Sequence, residues 1–238
     1  MSLTAGGQPA RDEDSDANEL RPWLLAIDTA TEQAGIALFD GVQLAEMSWP
    51  GGRRQTTSVL PAIQSMLQMI GIDLNCVGGV AVSLGPGSFT GLRVGMSLAK
   101  GFVIDGNREL VGIPTLDVSA FPYLATGAGC IALVPAGRAR VVWSIYPEHG
   151  EPTPPQNMTF DGFLEILAPH PNHVVVGELT PEQRNSVLKV HAKIATPAMS
   201  TRRPAILAEI GYRRWTDRDI VDPATVEPLY LHGQPNPR

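Results

Sequence analysis

Long hydrophobic runs and cysteines are scarce in this sequence, and each scarcity excludes a class of protein. No apolar stretch approaches the ~18 residues that a membrane-spanning helix needs. The first residues lack the basic region and apolar core of a secretion signal, so we expect the protein to remain in the cytoplasm. The two cysteines, Cys76 and Cys130, give no disulfide framework and no metal-ligand spacing, and we expect both to pack as small apolar residues.

The sequence also lacks the basic excess of a protein that grips RNA by itself. Its net charge is −6 over 238 residues, whereas an RNA-binding face normally carries lysines and arginines that displace phosphate counterions. Residues 1–21 contribute half of this negative charge, with five acids against two bases. If RNA is involved, we expect a partner protein to supply most of the grip.

Composition divides the chain into an extension, a folded unit and a tail. Residues 1–21 are polar and have almost no large apolar groups, so they cannot offset the entropy of ordering, and we predict that they are disordered. Residues 233–238 are similar, and we predict a flexible tail. Between them, we predict a first half-domain over 22–116 and a second over 117–232.

Alternating strand and helix patterns predict an α/β fold. Three apolar runs between Trp23 and Trp49, with the turn signal Asp40-Gly41 before the third, predict three antiparallel strands. Helical spacing predicts a helix over 58–70, which Ser58 can cap and Gly71 can end, and another over 92–103. A buried strand over 77–84 lies between them. Further strands are predicted at 110–113, 131–134, 141–146 and 174–176, and further helices at 160–167, 181–190 and 205–215. This succession indicates a duplicated layout, with mixed sheets flanked by helices and a cleft between the halves.

The glycine-rich loop between the strand at 77–84 and the next helix is the most informative stretch. Its three glycines permit backbone angles that are closed to other residues, and Ser88 or Thr90 can cap the helix. A helix N-terminus with free N–H groups is a natural anion site, although a tight connection without a ligand explains the same residues. The candidates for a weak anion or nucleotide-like site are Asp28, Thr29, Gly85, Gly87, Ser88, Thr90, Gly91 and Arg93.

Four segments carry a resemblance to a known family. The nine-residue string from Gly85 to Arg93 resembles the sequence signature of the TsaB (YeaZ) family, and Leu25–Ala30 resembles that family's first strand. Val111–Leu116 and Glu227–Leu231 are similar to its later elements. The resemblance covers nearly the whole folded unit, densely in the first half and sparsely in the second.

The resemblance implies both a fold and a role. It implies two half-domains of the actin/hexokinase/Hsp70 (ribonuclease H-like) type, within the glycoprotease-like (M22-type) superfamily. TsaB-like proteins are non-catalytic subunits that partner TsaD, which transfers threonylcarbamoyl to an adenosine of tRNAs that read ANN codons, and the ATPase TsaE joins them. The resemblance therefore implies contact with tRNA through the complex, self-association of the first half-domain when the protein is alone, and ATP and metal held by the partner subunits.

An ATP-using enzyme of the same fold is the main alternative. Such a site needs a glycine in its first phosphate turn, whereas Asp28–Thr31 has Ala30 there. It also needs a second acidic turn, and Leu133–Gly137 contains no acid. A later adenosine loop needs two glycines, and Val176–Glu178 has one. We therefore expect no catalytic residue and no cofactor of the protein's own, and Asp28 either braces its turn or is a relic of metal binding. A stand-alone regulatory homodimer is a third possibility.

A metalloprotease would need paired metal ligands, and the histidines do not provide them. His170 and His173 lie beside Pro169 and Pro171, which disfavour a helix there. We therefore expect surface histidines and no metal site.

Two departures from the family pattern concern partner contacts. Many TsaB-like chains have a histidine where this chain has 54–57, and Asp-Ala-Arg where it has Pro135–Arg138. The second half has diverged, and the contacts with TsaE and tRNA are those most affected.

The helices at 58–70 and 92–103 have more apolar residues than one core face requires. Exposed apolar patches on globular proteins usually mark contacts, so we predict a subunit interface here. Its candidate residues are Leu60, Ile63, Leu67, Leu92, Met96, Ala99 and Phe102.

Overall fold

A computed structural model of the protein describes residues 22–137 and 139–231 and contains two β-sheets in that part of the chain. The predicted disordered extension 1–21 and the predicted tail 233–238 lie outside the described residues. The strands of the first sheet are β1 (Trp23–Asp28), β2 (Gln33–Phe39), β3 (Leu44–Pro50), β4 (Val77–Gly85) and β5 (Glu109–Pro114). Those of the second sheet are β6 (Cys130–Pro135), β7 (Arg140–Tyr146), β8 (Gln156–Thr159) and β9 (Val174–Gly177).

The two sheets repeat one topology. The first has the order β3-β2-β1-β4-β5 and the second the order β8-β7-β6-β9. In each sheet the first three strands in sequence are antiparallel, and the next strand joins the first of them in parallel. This confirms the predicted α/β class with two mixed sheets and a duplicated layout.

Seven α-helices surround these sheets in the described part of the chain. They are α1 (Gln55–Ile70), α2 (Phe89–Val103), α3 (Thr115–Leu124), α4 (Phe160–Glu165), α5 (Pro181–Val190), α6 (Pro197–Ser200) and α7 (Pro204–Thr216). Within residues 22–137 and 139–231, no helix is long and apolar enough to cross a membrane.

The alternation of side chains along β1 separates the two layers of the first half. Leu25 and Ile27 pack with buried residues of α1 and α2, whereas Leu24 and Ala26 pack with α7. Because both faces of the strand are covered, all six of its residues are buried. The first sheet therefore has α1 and α2 on one side and α7 on the other.

The helix α3 joins the two halves, which corrects the predicted boundary between 116 and 117. Leu116 and Ala120 pack with the second sheet, whereas Val118 packs with the first sheet and α7. The helix is buried on several sides, so it has no amphipathic pattern that would reveal it. A second correction concerns α7, which was assigned to the second half-domain but packs on the first sheet.

The observed ends of the first two helices show which capping predictions hold. The helix α1 begins at Gln55, three residues before the predicted start, so Ser58 lies inside the helix and does not cap it. The Ser58 hydroxyl instead accepts a hydrogen bond from Trp49 Nε1 at 3.1 Å. Gly71 ends α1 with a φ of 72°, as predicted. The helix α2 begins at Phe89, and Ser88 caps it through the Gly91 N–H.

We predict that Gly211→Ala will destabilise the protein by about 1–3 kcal/mol. A Cβ atom at Gly211 would lie 2.5 Å from the Ala81 Cβ, so α7 would have to move away from β4. The matched control is Gly101→Ala on α2, where a Cβ meets no atom within 4 Å, and a gain of about 0.5–1 kcal/mol is expected. Urea unfolding measures both, and equal effects would show that α7 does not pack tightly on the first sheet.

Candidate functional site

The turn that follows β1 lies at the base of the cleft between the two sheets. Asp28, Thr29 and Thr31 are all buried. The Asp28 Oδ1 atom accepts a hydrogen bond from the Ala30 N–H at 3.0 Å. Asp28 therefore braces its own turn, which is one of the two roles that the sequence allows it.

The second carboxylate oxygen of Asp28 accepts a hydrogen bond from a buried arginine that lies 174 residues later in the sequence. Arg202, between α6 and α7, is 4% exposed. Its Nε donates to Asp28 Oδ2 at 2.9 Å, its Nη1 to Glu178 Oε1 at 2.6 Å and its Nη2 to the Thr31 hydroxyl at 2.9 Å. The Thr31 hydroxyl in turn donates to Glu178 Oε1 at 2.7 Å. We call these four residues the Arg202 network.

The Arg202 network links the two halves of the protein. Asp28 ends β1 of the first sheet and Thr31 lies in the turn after it, whereas Glu178 follows β9 of the second. Burial lowers the pKa of Arg202, but the carboxylates of Asp28 and Glu178 outweigh this effect and hold the pKa above its usual value. The guanidinium is therefore charged, and its single positive charge lies between two carboxylates, one from each half of the protein.

The same network bears on the hypothesis that Asp28 is a relic of metal binding. A guanidinium already contacts the Asp28 and Glu178 carboxylates, where a divalent cation would have to sit. Among the described residues, no group of three or more His, Cys, Asp or Glu side chains could hold a metal ion. The contacts thus give Asp28 a structural role.

The glycine-rich loop presses directly on the turn after β1. A Cβ atom at Gly87 would overlap the Ala30 carbonyl oxygen, and one at Gly91 would overlap that of Thr29. The Ser88 N–H donates to the Ala30 carbonyl at 2.6 Å, and the Thr29 hydroxyl donates to the Gly91 carbonyl at 2.8 Å. Close approach of the two backbones explains why glycine is needed at these positions.

This packing changes the interpretation of the predicted anion site. Two N–H groups at the start of α2 already have protein acceptors, because Ser88 donates to Ala30 and Gly91 donates to the Ser88 hydroxyl at 3.2 Å. Gly85, with a φ of 110°, approaches the Leu229 carbonyl rather than the cleft. Thr90 and Arg93 are exposed, and Arg93 faces Tyr230. The loop is therefore a strand-to-helix connection filled by the protein itself.

The cleft above the Arg202 network has a volume of about 920 Å³. Its charged lining residues are Glu32, Glu178 and Arg184, and both Nη atoms of Arg184 contact the Ala195 carbonyl. At the start of α5, Thr180 and Gln183 form a capping box that uses the N–H groups of these two residues. Among the described residues, two carboxylates thus line this cleft, and its basic lining residue Arg184 is held by a backbone carbonyl. The other lining residues are Thr31, Gly87, Ser88, Phe89, Pro135, Ala136, Gly137, Gly177, Leu179, Thr180, Pro181, Pro197, Ser200 and Thr201.

Four of the seven predicted interface residues lie in the core, which corrects that prediction. Ile63, Leu92, Met96 and Ala99 are at most 4% exposed, so their side chains cannot reach a partner. The three that remain accessible are Leu60, which is 41% exposed, and the half-buried Leu67 and Phe102. The corresponding faces of α1 and α2 are the accessible part of the predicted surface.

The histidines do not form a catalytic pair. The rings of His170 and His173 lie edge to face with centroids 5.2 Å apart, and burial lowers the pKa of His173. His191 is buried, contrary to the expectation of surface histidines, because its Nε2 atom contacts the His173 carbonyl at 2.8 Å. His232 lies outside the described residues.

Replacing Arg202 should lower the free energy of unfolding far more than replacing the neighbouring Arg203. We predict that Arg202→Met will destabilise the protein by about 3–5 kcal/mol, because the buried Asp28 carboxylate and the partly exposed Glu178 carboxylate lose their cation. The control is Arg203→Met, since Arg203 is exposed and pairs with Glu46 near the surface, and a loss below about 1 kcal/mol is expected. Chemical denaturation measures both, and similar losses would contradict the role given to Arg202.

We predict that Gly87→Val will lower stability by more than about 1 kcal/mol. The new side chain would collide with the Ala30 carbonyl and push the loop off the turn. Thr90→Val, at an exposed position in the first turn of α2, should change stability by less than about 0.5 kcal/mol. Thermal unfolding checks the pair, and an unchanged melting temperature for Gly87→Val would show that the loop has room.

Sequence comparisons relate the chain to proteins of tRNA modification. The family model described as TsaD, tRNA N6-adenosine threonylcarbamoyltransferase, matches residues 51–203. The chain is 34% identical to the tRNA threonylcarbamoyladenosine biosynthesis protein TsaB of Escherichia coli, over 55% of this chain and 60% of that protein, which is less than two thirds of that relative's length. It is 28% identical to the protein of the same name in Bacillus subtilis, over 87% of this chain and 93% of that one.

Solved structures of YeaZ and of a YeaZ-like protein have the same fold as this chain. YeaZ from Pseudomonas aeruginosa superposes with a TM-score of 0.68 at 20% sequence identity, covering 88% of this chain and all of that one. Another crystal structure, of an uncharacterized protein with similarity to peptidase YeaZ from Pseudomonas aeruginosa, gives a TM-score of 0.74 at 21% identity over 89% of this chain and 100% of that one. With a family model that matches more than half of the sequence, the chain belongs to the TsaD-type family and, within it, to the TsaB (YeaZ) group.

Proposed function

We propose that the protein is a non-catalytic scaffold or activating subunit in the synthesis of threonylcarbamoyladenosine in tRNA, and that it acts by binding a TsaD-type catalytic subunit. The observation that carries this proposal is the Arg202 network at the base of the cleft. A fold of this type would place a metal and phosphates there, but this chain fills the position with its own guanidinium.

The chemistry of the complex would then belong to the partner subunits. We expect ATP and a metal ion to be held by the TsaD-type subunit and by a TsaE-like ATPase, and tRNA to be contacted through the complex. The net charge of −6 agrees with this division, since a partner must provide the basic surface that RNA requires. We expect the complex to work in the cytoplasm.

The helices α1 and α2 offer the surface through which we propose that the partner binds. The 16 residues of α1 include no charged side chain, although Leu60 and Met69 are well exposed. A groove of about 440 Å³ lies between the two helices. Surface helices normally carry charges, and depletion of charge is typical of the centre of a protein interface. The groove is lined by Thr56, Phe89, Thr90, Arg93, Val94, Ser97 and Leu98.

The same groove would support a homodimer when the partner is absent. Two copies that pair through α1 and α2 would cover the same apolar groups, so self-association and partner binding would compete. The accessible residues among those predicted, Leu60, Leu67 and Phe102, belong to these two helices.

We predict that Leu60→Asp will weaken binding to the TsaD-type subunit of the same organism by at least about tenfold, as truncation of an interface anchor does. Val42→Asp is the control, because Val42 is exposed on the turn between β2 and β3, away from both helices. Calorimetric titration measures the affinities, and sedimentation of the protein alone should show loss of the homodimer in Leu60→Asp only.

The activity assay tests the other half of the proposal. The protein alone should show no magnesium-dependent ATPase turnover, and threonylcarbamoyl transfer to tRNA by the TsaD-type subunit should require its addition. An ATPase rate that Asp28→Ala abolishes would contradict the non-catalytic role and favour the alternative of an actin-fold nucleotide enzyme. Equal partner affinities of Leu60→Asp and Val42→Asp would place the contact elsewhere.

A further inference from the structure

The last described segment of the chain forms a strap that crosses from one half of the protein to the other. The Val221 N–H donates to the Leu110 carbonyl at 2.8 Å, and the Leu229 N–H donates to the Leu84 carbonyl at 2.7 Å. Farther along, the Leu231 carbonyl accepts from Asn157 Nδ2 on β8 at 2.7 Å. We call residues 221–231 the C-terminal strap.

The strap places an aromatic side chain on the first turn of α2. The Tyr230 and Phe89 ring centroids are 5.1 Å apart. The Arg93 guanidinium lies over the Phe89 ring at 3.8 Å, and its Nε donates to the Tyr230 hydroxyl at 3.2 Å. Phe89 is 47% exposed and Tyr230 is 37% exposed, so these three residues form an ordered but accessible group. We call it the Phe89–Arg93–Tyr230 stack.

We propose that the Phe89–Arg93–Tyr230 stack anchors a carboxylate-bearing apolar segment of the partner protein at the end of the α1–α2 groove. This inference rests on the proposed function, and it names the chemistry of the contact. Phe89 and Arg93 line the groove, so the stack is continuous with it. Tyrosine and arginine are the side chains that most often dominate protein interfaces.

The charge of Arg93 determines what the partner must supply. Among the described residues, no carboxylate lies within salt-bridge distance of Arg93. Stacking on Phe89 holds the guanidinium in one orientation, with its Nε used by Tyr230. A guanidinium fixed in this way is suited to a carboxylate, which it binds with two parallel hydrogen bonds.

The two helices indicate that this carboxylate comes from a different protein. Neither α1 nor α2 contains an aspartate or glutamate, and the charged residues of α2 are Arg93 and Lys100. A second copy that paired through the same helices would therefore bring no acid from these helices to Arg93. RNA would satisfy the charge, but the net charge of −6 opposes its approach. A heterologous protein with acidic side chains beside an apolar segment fits best.

The strap makes partner binding and strap docking interdependent. Tyr230 reaches α2 only while the strap lies across β4, so a partner that binds the stack also holds the strap in place. By thermodynamic reciprocity, an ordered strap raises the affinity for the partner by the same factor. The Leu229 amide, which donates to Leu84 in the docked strap, reports this coupling through its hydrogen exchange.

The test is calorimetric titration of stack variants with the purified TsaD-type subunit of the same organism. Arg93→Gln and Tyr230→Ala should each weaken binding by about tenfold or more, and Tyr230→Phe, which keeps the ring, by less than about threefold. Raising the salt concentration should weaken binding of the wild-type protein, and Arg93→Gln should lose most of that dependence. The control is Val42→Ala, which removes exposed apolar surface elsewhere.

The outcomes separate this inference from the proposed function. If Leu60→Asp loses the partner while both Arg93→Gln and Tyr230→Ala retain wild-type affinity, the α1–α2 contact stands and the stack is not its anchor. If the wild-type protein does not bind the subunit at all, the proposed function itself fails. Salt-independent binding would exclude the carboxylate contact. Unchanged exchange of the Leu229 amide on complex formation would exclude the coupling, and unaltered melting temperatures establish that each variant is folded.

Discussion

The Arg202 guanidinium links the two halves of the protein at the base of the cleft between the sheets. It is held by Asp28 and Thr31 from one half and by Glu178 from the other, all within 2.9 Å. Without this guanidinium, the Asp28 and Glu178 carboxylates would repel each other, and this repulsion would favour separation of the two halves. With the arginine in place, its positive charge lies between the two carboxylates and offsets one of their two negative charges. The link between the two halves is therefore made by the protein's own side chains.

The glycine-rich loop also contacts other parts of the protein where a related fold would contact a ligand. In a nucleotide-binding protein, glycines between a strand and a helix bring backbone N–H groups to phosphate. Here Gly87 and Gly91 instead allow the loop to meet the turn after β1, and the Ser88 N–H is used by the Ala30 carbonyl. The result is a rigid support for the first turn of α2, where Phe89 and Arg93 face outward. An element that binds ligands in other proteins thus orients two exposed side chains, Phe89 and Arg93, at the surface of this one.

Local signals in the sequence were sufficient for much of the fold, because strand alternation, the Gly71 cap and the Ser88 cap act over a few residues. The Asp28 brace was also predictable, since its partner Ala30 is two residues away. Arg202 was not, because its contacts with Asp28 and Thr31 span 174 and 171 residues and nothing around it marks it as buried. The helix α3 was missed because it is apolar on several sides, and β8 because it has four mostly polar residues. For α2, apolar periodicity could not distinguish the core face that holds Met96 from the accessible one.

The central claim is that Arg202, and not a bound nucleotide, holds the two halves in a fixed arrangement across the cleft. It is tested most directly by the distance between spin labels on the two halves, introduced as Val42→Cys and Leu188→Cys at exposed sites in a Cys76→Ser background. Pulsed electron–electron double resonance should give one narrow distance distribution, identical with and without magnesium and ATP. A distribution that broadens in the free protein and shortens when magnesium and ATP are added would show a cleft that closes on nucleotide, and would contradict the account.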